Sequence, residues 1–164
     1  MKPLDIIQLY DRFGEAMYRY LSVKLGSPDD AEDVLQEVFY RLGKSSFRLR
    51  FVRDLRAFSF RVARNEANRW LRRKIRNEQT AASTIVFAES FRRTYASPED
   101  GTHWAIADAL AQIPEGQREV IILKILEGLT FREIAAANGE STNTMASRYR
   151  YGIEKLRMIL EDRR

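Results

Sequence analysis

The residues best suited to chemistry in this 164-residue chain are cationic and aromatic. Between Lys44 and Arg76 stand twelve Lys and Arg against two acids, Asp54 and Glu66, a balance of +10. The chain's formal charge is +5, so everything outside this block sums to −5. A basic block inside a mildly acidic chain fits a local polyanion site, with a solvated charge run as the ordinary alternative. Within the block, Phe47, Leu49, Phe51 and Val52 alternate with Arg48, Arg50 and Arg53. Rings among arginines suit single-stranded nucleic acid, where bases stack on aromatic faces while cations hold phosphates. The same rings also suit the cap of a small core. Farther along, Arg61, Arg64, Asn65, Asn68 and Arg72 share one side of a helical pattern, a set able to hydrogen-bond bases as well as phosphates.

A second stretch, Thr130 to Leu156, reads as two helices joined by a tight turn. Phe131, Ile134 and Ala135 follow the 3.6-residue period of a helix with one buried face. Asn138-Gly139 stops that helix, and Ser141 or Thr142 caps the next by offering its oxygen to free N–H groups. The second helix is expected to bury Met145, Tyr149, Ile153 and Leu156 and to show Asn143, Ser147, Arg150 and Tyr151. That is the outline of a helix-turn-helix able to lay its second helix in a DNA major groove, although the same geometry is common in proteins that never touch DNA.

Other chemistries find little support. There is no Cys, so no disulfide framework or thiolate metal site, and the single His103 argues against a His-based centre. Asp29, Asp30, Glu32 and Asp33 share a helix without a second acidic cluster to complete a metal site. No catalytic residue, metal or cofactor is expected. The opening MKPLDIIQLYDRF lacks an apolar signal segment and no run approaches a membrane span, so the expectation is a soluble cytoplasmic protein without membrane insertion.

The elements that must position these residues are all helical. The first runs from Leu4 to about Leu25, with Ile6, Ile7, Leu9, Tyr10, Phe13, Met17, Tyr20 and Leu21 as its apolar stripe. Gly26 ends it, and Ser27-Pro28-Asp29-Asp30 starts a second with a cap, a first-turn Pro and acids at the positive helix end. That helix, about Pro28 to Leu42, buries Ala31, Val34, Leu35, Val38, Phe39 and Leu42. Asp29, Glu32, Asp33, Gln36 and Glu37 line its exposed side, as ordinary solubility or as a docking face for a basic partner. After the loop Gly43–Arg53, a third helix spans Asp54 to Arg76, with Leu55, Phe58, Val62, Ala63, Ala67, Trp70 and Leu71 inward.

Residues 77–101, rich in Ala, Ser and Thr at first and closed by Ser97-Pro98-Glu99-Asp100-Gly101, read as a linker. Its apolar piece Ile85-Val86-Phe87, with Phe91, is expected to pack against something. From Thr102, a helix with Trp104, Ile106, Ala107, Leu110 and Ile113 inward ends at Pro114. The next, with Val120, Ile121, Leu123, Ile125 and Leu126 inward, ends at Gly128. The fold expected is all-α, a three-helix bundle and a four-helix domain joined by a linker.

Taken together, the two halves resemble bacterial sigma factors of the extracytoplasmic-function group, which keep the second and fourth conserved regions of larger transcription initiation factors. Asp30-Ala31-Glu32-Asp33-Val34-Leu35-Gln36-Glu37-Val38-Phe39 resembles the region-two helix that docks on the polymerase β′ clamp. Leu55-Arg56-Ala57-Phe58, Arg61-Val62-Ala63-Arg64-Asn65 and Trp70-Leu71-Arg72-Arg73 resemble the helix that opens and reads the −10 element. Ile113-Pro114-Glu115, Gln117-Arg118-Glu119-Val120, Gly128-Leu129-Thr130, Glu133-Ile134-Ala135 and Thr144-Met145-Ala146-Ser147-Arg148-Tyr149 resemble region four, which reads the −35 element.

The resemblance implies core contacts at Asp30, Glu32, Asp33, Gln36 and Glu37, and −10 contacts at Phe47, Arg48, Arg61, Arg64, Asn65, Asn68, Arg69 and Arg72. It implies −35 contacts at Thr130, Asn143, Thr144, Ser147, Arg148, Arg150 and Tyr151. The implied partners are core RNA polymerase (β′ clamp and β flap), promoter DNA as −35 duplex and melted −10 strand, and an anti-sigma factor. Ala146 and Tyr151 stand where the family often has basic residues, and Glu140 where it is usually apolar. Region four alone is therefore expected to bind DNA weakly, with Arg148 and Arg150 carrying its charge. Two rivals stay open: a helix-turn-helix regulator working without polymerase, which leaves the +10 block unexplained, and a nucleic-acid-processing enzyme, which lacks a constellation.

Overall fold

The computed structural model describes residues 5–77, 83–95 and 101–163, and among them it is helical with no strand. The expected start at Leu4 and the linker pieces at 78–82 and 96–100 lie outside the described residues, as do the side chains of Arg76, Thr102 and His103. Two compact units divide the chain. One holds the helices up to Asn77, with Ala136–Gly139 grouped to it, and the other holds the remainder.

In the first unit, α1 runs over residues 6–25. Asp5 caps it, accepting from the Ile7 N–H at 3.0 Å, and its turn Tyr10–Gly14 is wound wider than an α-helix. Gly26 closes α1 at φ 75°, a left-handed backbone that glycine adopts without steric cost. Ser27 then accepts from the Asp30 N–H at 3.3 Å and Pro28 takes the first turn of α2, Pro28–Lys44. This helix continues through Gly43 and Lys44, past the expected end at Leu42. A single turn, α3 (Ser46–Leu49), interrupts the expected loop, and Asp54 caps α4 (Leu55–Asn77) through the Ala57 N–H at 3.0 Å.

Helices α1, α2 and α4 pack pairwise. Met17 and Leu21 of α1, Val38 and Leu42 of α2, and Leu49 of α3 are buried in the core. The inward face of α4 meets the expectation at Ala63 and Ala67 and differs from it elsewhere. Ala57, Phe60, Ala63 and Ala67 are buried, while Leu55, Phe58, Val62, Trp70 and Leu71 are half-buried. Three alanines let α4 approach its neighbours closely, and the space they leave takes Phe60, edge-on to Tyr20 at 5.8 Å. Phe39 is half-buried against Tyr10 at 5.1 Å, and Ile7 and Tyr10 are exposed, contrary to the expected stripe.

The second unit holds α5 (Ser83–Tyr95), α6 (Gly101–Ala111), α7 (residues 115–126), the first five residues of α8 (Phe131–Asn138) and α9 (Thr142–Glu161). The span read as a linker thus carries a helix. Phe87, Ala88 and Phe91 bury one face of it, and α5 packs on α6. Ile85 and Val86, expected to pack, are exposed. Trp104, expected inside, is exposed beneath the Arg92 guanidinium at 4.7 Å, and Arg92 also pairs with Asp108. The last turn of α7, Ile122–Leu126, is wound with one extra residue, the Glu127 N–H reaching Ile122 O at 3.2 Å. One extra residue rotates the rest of the helix by roughly 100°, so Ile125 and Leu126 face outward rather than into the core.

Helix α9 packs on α7 at Gly152, a residue whose burial the sequence pattern does not signal. A Cβ there would stand 2.8 Å from Ile121 Cδ1 and 3.1 Å from Gln117 Cβ. Met145 is fully buried, Tyr149 is half-buried with its ring 5.3 Å from Phe131, and Ile153 and Leu156 are half-buried. No described helix is long and apolar enough to cross a membrane. Gly152→Val overpacks the α7–α9 contact and is expected to cost about 1–3 kcal/mol. A lower urea midpoint at unchanged slope is the expected reading, and an unchanged midpoint would refute the close approach.

Candidate nucleic-acid interface

In the first unit the outward side of α2 carries Asp29, Glu32, Asp33, Gln36 and Glu37, all exposed. Asp30 differs: it is half-buried and lies 3.8 Å from Lys74 of α4. Glu37 accepts from Arg41 Nε at 3.1 Å. The acidic row is therefore exposed at Asp29, Glu32, Asp33 and Gln36, while Asp30 and Glu37 are engaged within the unit.

The aromatic–arginine segment separates anchor from display. Leu49 is buried and holds the turn, whereas Phe47 is 69% and Phe51 77% exposed. The two rings meet edge to face at 6.1 Å, and the Arg50 guanidinium lies 5.6 Å from the Phe47 ring. Two rings held in water beside Arg48, Arg50 and Arg53 are displayed on the surface and do not cap the core. A base stacked on one is worth about 1–3 kcal/mol.

Because the alanine seam of α4 faces the core, its cations face out. Arg61, Asn65 and Arg72 are exposed, and Arg64 and Asn68 are half-buried at the edge of the same stripe. Arg69 lies 3.4 Å from Glu66, whose side chain is only 7% exposed. Glu66 also binds Arg41 of α2 at 2.6 Å. Neither Glu66 nor Arg41 is among the residues expected at the site. The available signal is a lone acid inside a run of arginines, too deep in α4 to serve as a cap.

Gly139, at φ 67°, makes the turn of the helix-turn-helix. Ser141 is the cap of α9, accepting from the Thr144 N–H at 3.1 Å, with the Ser141 and Thr144 hydroxyls 2.8 Å apart. Thr130 caps α8 through the Glu133 N–H at 3.1 Å. Two of the residues expected on DNA, Thr130 and Thr144, thus hold helix ends. Asn143, Arg150 and Tyr151 are exposed, Ser147 is half-buried, and Arg150 lies 5.3 Å from the Tyr151 ring. Arg148 is clamped instead: its Nη1 and Nη2 donate to both Glu140 carboxylate oxygens at 2.9 and 2.8 Å. The charge expected from Arg148 is neutralised inside the motif. Arg118 is structural too. It lies 4.1 Å from the Phe87 ring and joins α7 to α5, and burial lowers its pKa against the opposing pull of Glu115 and Glu119.

Known proteins share this succession of regions. The family model for Sigma-70 region 2 matches residues 9–77, and that for Sigma-70, region 4 matches residues 103–156. The chain is 31% identical over 159 residues to the ECF RNA polymerase sigma factor SigL of Mycobacterium tuberculosis, covering 94% of this chain and 88% of SigL. It is 27% identical over 165 residues to the ECF RNA polymerase sigma factor BldN of Streptomyces coelicolor, covering 94% of this chain but 60% of BldN. Among solved structures, the sigma factor RpoE in complex with the anti-sigma factor NepR from Bartonella quintana gives a TM-score of 0.71 at 21% identity, over 96% of this chain and 97% of that one. CnrH in complex with the cytosolic domain of CnrY gives 0.69 at 24% identity, over 96% and 88%. These two likenesses speak to the fold. With region two matched in the first unit, region four in the second, and SigL aligned across nearly the whole chain, this protein belongs to the extracytoplasmic-function sigma factors of the sigma-70 family.

Proposed function

We propose that this sigma factor directs core RNA polymerase to specific promoters, reading the −35 element as duplex and holding the −10 element as a melted strand. One observation supports the reading: a single chain carries both an exposed aromatic–arginine segment and a helix-turn-helix. Exposed Phe47 and Phe51 among arginines suit unstacked bases, whereas the helix-turn-helix suits a major groove. Promoter opening needs both. Unstacking a base takes a few kcal/mol, which stacking and hydrogen bonds in the first unit must return. A regulator acting without polymerase would leave the acidic α2 row and the aromatic pair without a use.

In this reading residues 1–76 act as region two and residues 102–164 as region four, with 77–101 between them. Glu32, Asp33, Gln36 and Glu37 meet the β′ clamp, with Asp30 in a supporting position because Lys74 holds it. Phe47, Arg48, Arg61, Arg64, Asn65, Asn68, Arg69 and Arg72 face the −10 strand. Asn143, Ser147, Arg150 and Tyr151 face the −35 groove, which Thr130 and Thr144 support through the caps and Arg148 through its clamp; the β flap engages region four. RpoE and CnrH were each solved with a binding partner, NepR and the cytosolic domain of CnrY. An anti-sigma factor covering both DNA-binding faces is the regulator that fits here. The protein works by recruitment in the cytoplasm and carries no catalytic group of its own.

Asp33→Arg reverses a charge at the centre of the docking row. It is expected to lower affinity for core polymerase about tenfold or more while leaving helix content intact. Unchanged core binding would remove the acidic row from the mechanism. Asn65→Ala is expected to impair open-complex formation more than core binding, and equal losses would contradict a base-reading role. Glu140→Gln unclamps Arg148. Affinity for −35 duplex should rise, with the salt slope steeper by ~0.9 for one added phosphate contact. No change in slope would show that Arg148 cannot reach the DNA.

A further inference from the structure

Four charged side chains cross the first unit in alternating sign, from the acidic row of α2 to the basic face of α4. Glu37 Oε1 lies 3.1 Å from Arg41 Nε, the same Nε lies 2.6 Å from Glu66 Oε1, and that same Oε1 lies 3.4 Å from Arg69 Nη1. Each inner atom is shared. One Arg41 nitrogen serves two carboxylates, and one Glu66 oxygen serves two arginines. Contacts at a shared atom compete, so strengthening one weakens the next. The middle of the chain is also the dry part. Glu66 is 7% exposed, while Glu37, Arg41 and Arg69 are each nearly half exposed at the two ends and the bridge. A buried carboxylate must keep a cation, but it does not need two.

We propose that Glu37, Arg41, Glu66 and Arg69 form a relay through which a cation docking on Glu37 releases Arg69 to take a DNA phosphate. The partner's cation draws the Glu37 carboxylate from Arg41. Arg41 then gives its Nε wholly to Glu66, which neutralises that carboxylate further and weakens its hold on Arg69. Arg69, at 3.4 Å the longest of the three contacts, is no longer required there and turns to solvent and DNA. In the free protein Arg69 is held, and the −10 face is one cation short of its full charge. Glu66 is a positioning residue in this scheme, since it touches neither polymerase nor DNA. The inference rests on the proposed reading of α2 as the polymerase face and α4 as the strand face. By linkage, the strand must tighten polymerase docking by the same factor that polymerase tightens the strand.

Glu37→Gln imitates docking without polymerase, because it removes the anion that shares Arg41. Glu37 is partly exposed, so the variant leaves the core untouched. Glu15→Gln is the control: it removes the same charge from another i,i+4 pair, Glu15–Arg19 at 3.2 Å on α1. The measurement is fluorescence anisotropy of the full chain with a labelled single-stranded DNA of mixed sequence across a salt series. Glu37→Gln is expected to bind about fivefold tighter than Glu15→Gln, with a salt slope steeper by ~0.7 for the added phosphate contact. Both gains should vanish in the double variant Glu37→Gln/Arg69→Gln. Equal binding by Glu37→Gln and Glu15→Gln, or a gain that survives loss of Arg69, overturns the relay. An Arg61→Ala arm separates the two levels. If Arg61→Ala weakens strand binding while Glu37→Gln matches its control, the relay alone fails. If Arg61→Ala leaves strand binding unchanged, the reading of α4 fails and takes the relay with it.

Discussion

The contact on which the first unit depends is the carboxylate of Glu66, buried between Arg41 and Arg69. Removing the partner of a buried charge costs about 3–5 kcal/mol, because the charge left behind cannot regain its water. Glu66 therefore pins α4 to α2 at one register, through a side chain contributed by each helix. The alanine seam of α4 supplies the close approach that makes this contact reachable, and Phe60 fills the space beside it. With one face of α4 committed to the seam, Arg61, Asn65 and Arg72 can only point outward. The basic face is thus a consequence of the packing.

The second unit solves a different problem, which is to hold α9 against its neighbours. Gly152 lets α9 lie against α7 with no side chain between them, and Met145 is sealed beneath its first turns. Ser141 and Thr130 fix the two helix starts, each cap contributing about 1 kcal/mol. The Glu140–Arg148 clamp ties the turn to α9 and neutralises the Arg148 cation within the motif. Such a motif is tied together at both helix starts and at its turn, and one of its cations is spent on the clamp. Under the proposed function, this suits a domain delivered to DNA by a larger assembly better than one that must find its site unaided.

Much of this is legible in the sequence where a local rule decides the outcome. Ser27-Pro28 and Asn138-Gly139 are punctuation with one meaning, and the elements begin and end beside them. Phe47 and Phe51 are ambiguous between core cap and display in the sequence, and only the burial of Leu49 settles them as displayed. The inward face of α4 escapes a sequence reading because Leu55, Phe58, Phe60 and Val62 put apolar residues on more than one side, so periodicity alone cannot choose. The outward turn of Ile125 and Leu126 comes from an extra residue in the helical turn that holds them, invisible to a fixed period. Helix α5 forms in an Ala/Ser/Thr-rich stretch of modest propensity, since burying Phe87 and Phe91 supplies what local preference does not. The Glu66–Arg41 pair joins two helices, and no local pattern announces such a partner.

The central claim is that one chain supplies both the polymerase dock and the strand-trapping surface. The most direct measurement is abortive transcription with core RNA polymerase, comparing the protein with its Phe47→Ala/Phe51→Ala variant on duplex promoter fragments and on the same fragments with the −10 region pre-melted. The account predicts initiation that requires the protein, fails for the variant on duplex, and returns on the pre-melted template, because the missing stacking energy is then no longer needed. Protein that binds the fragments unaided and starts no transcripts on either template would contradict it.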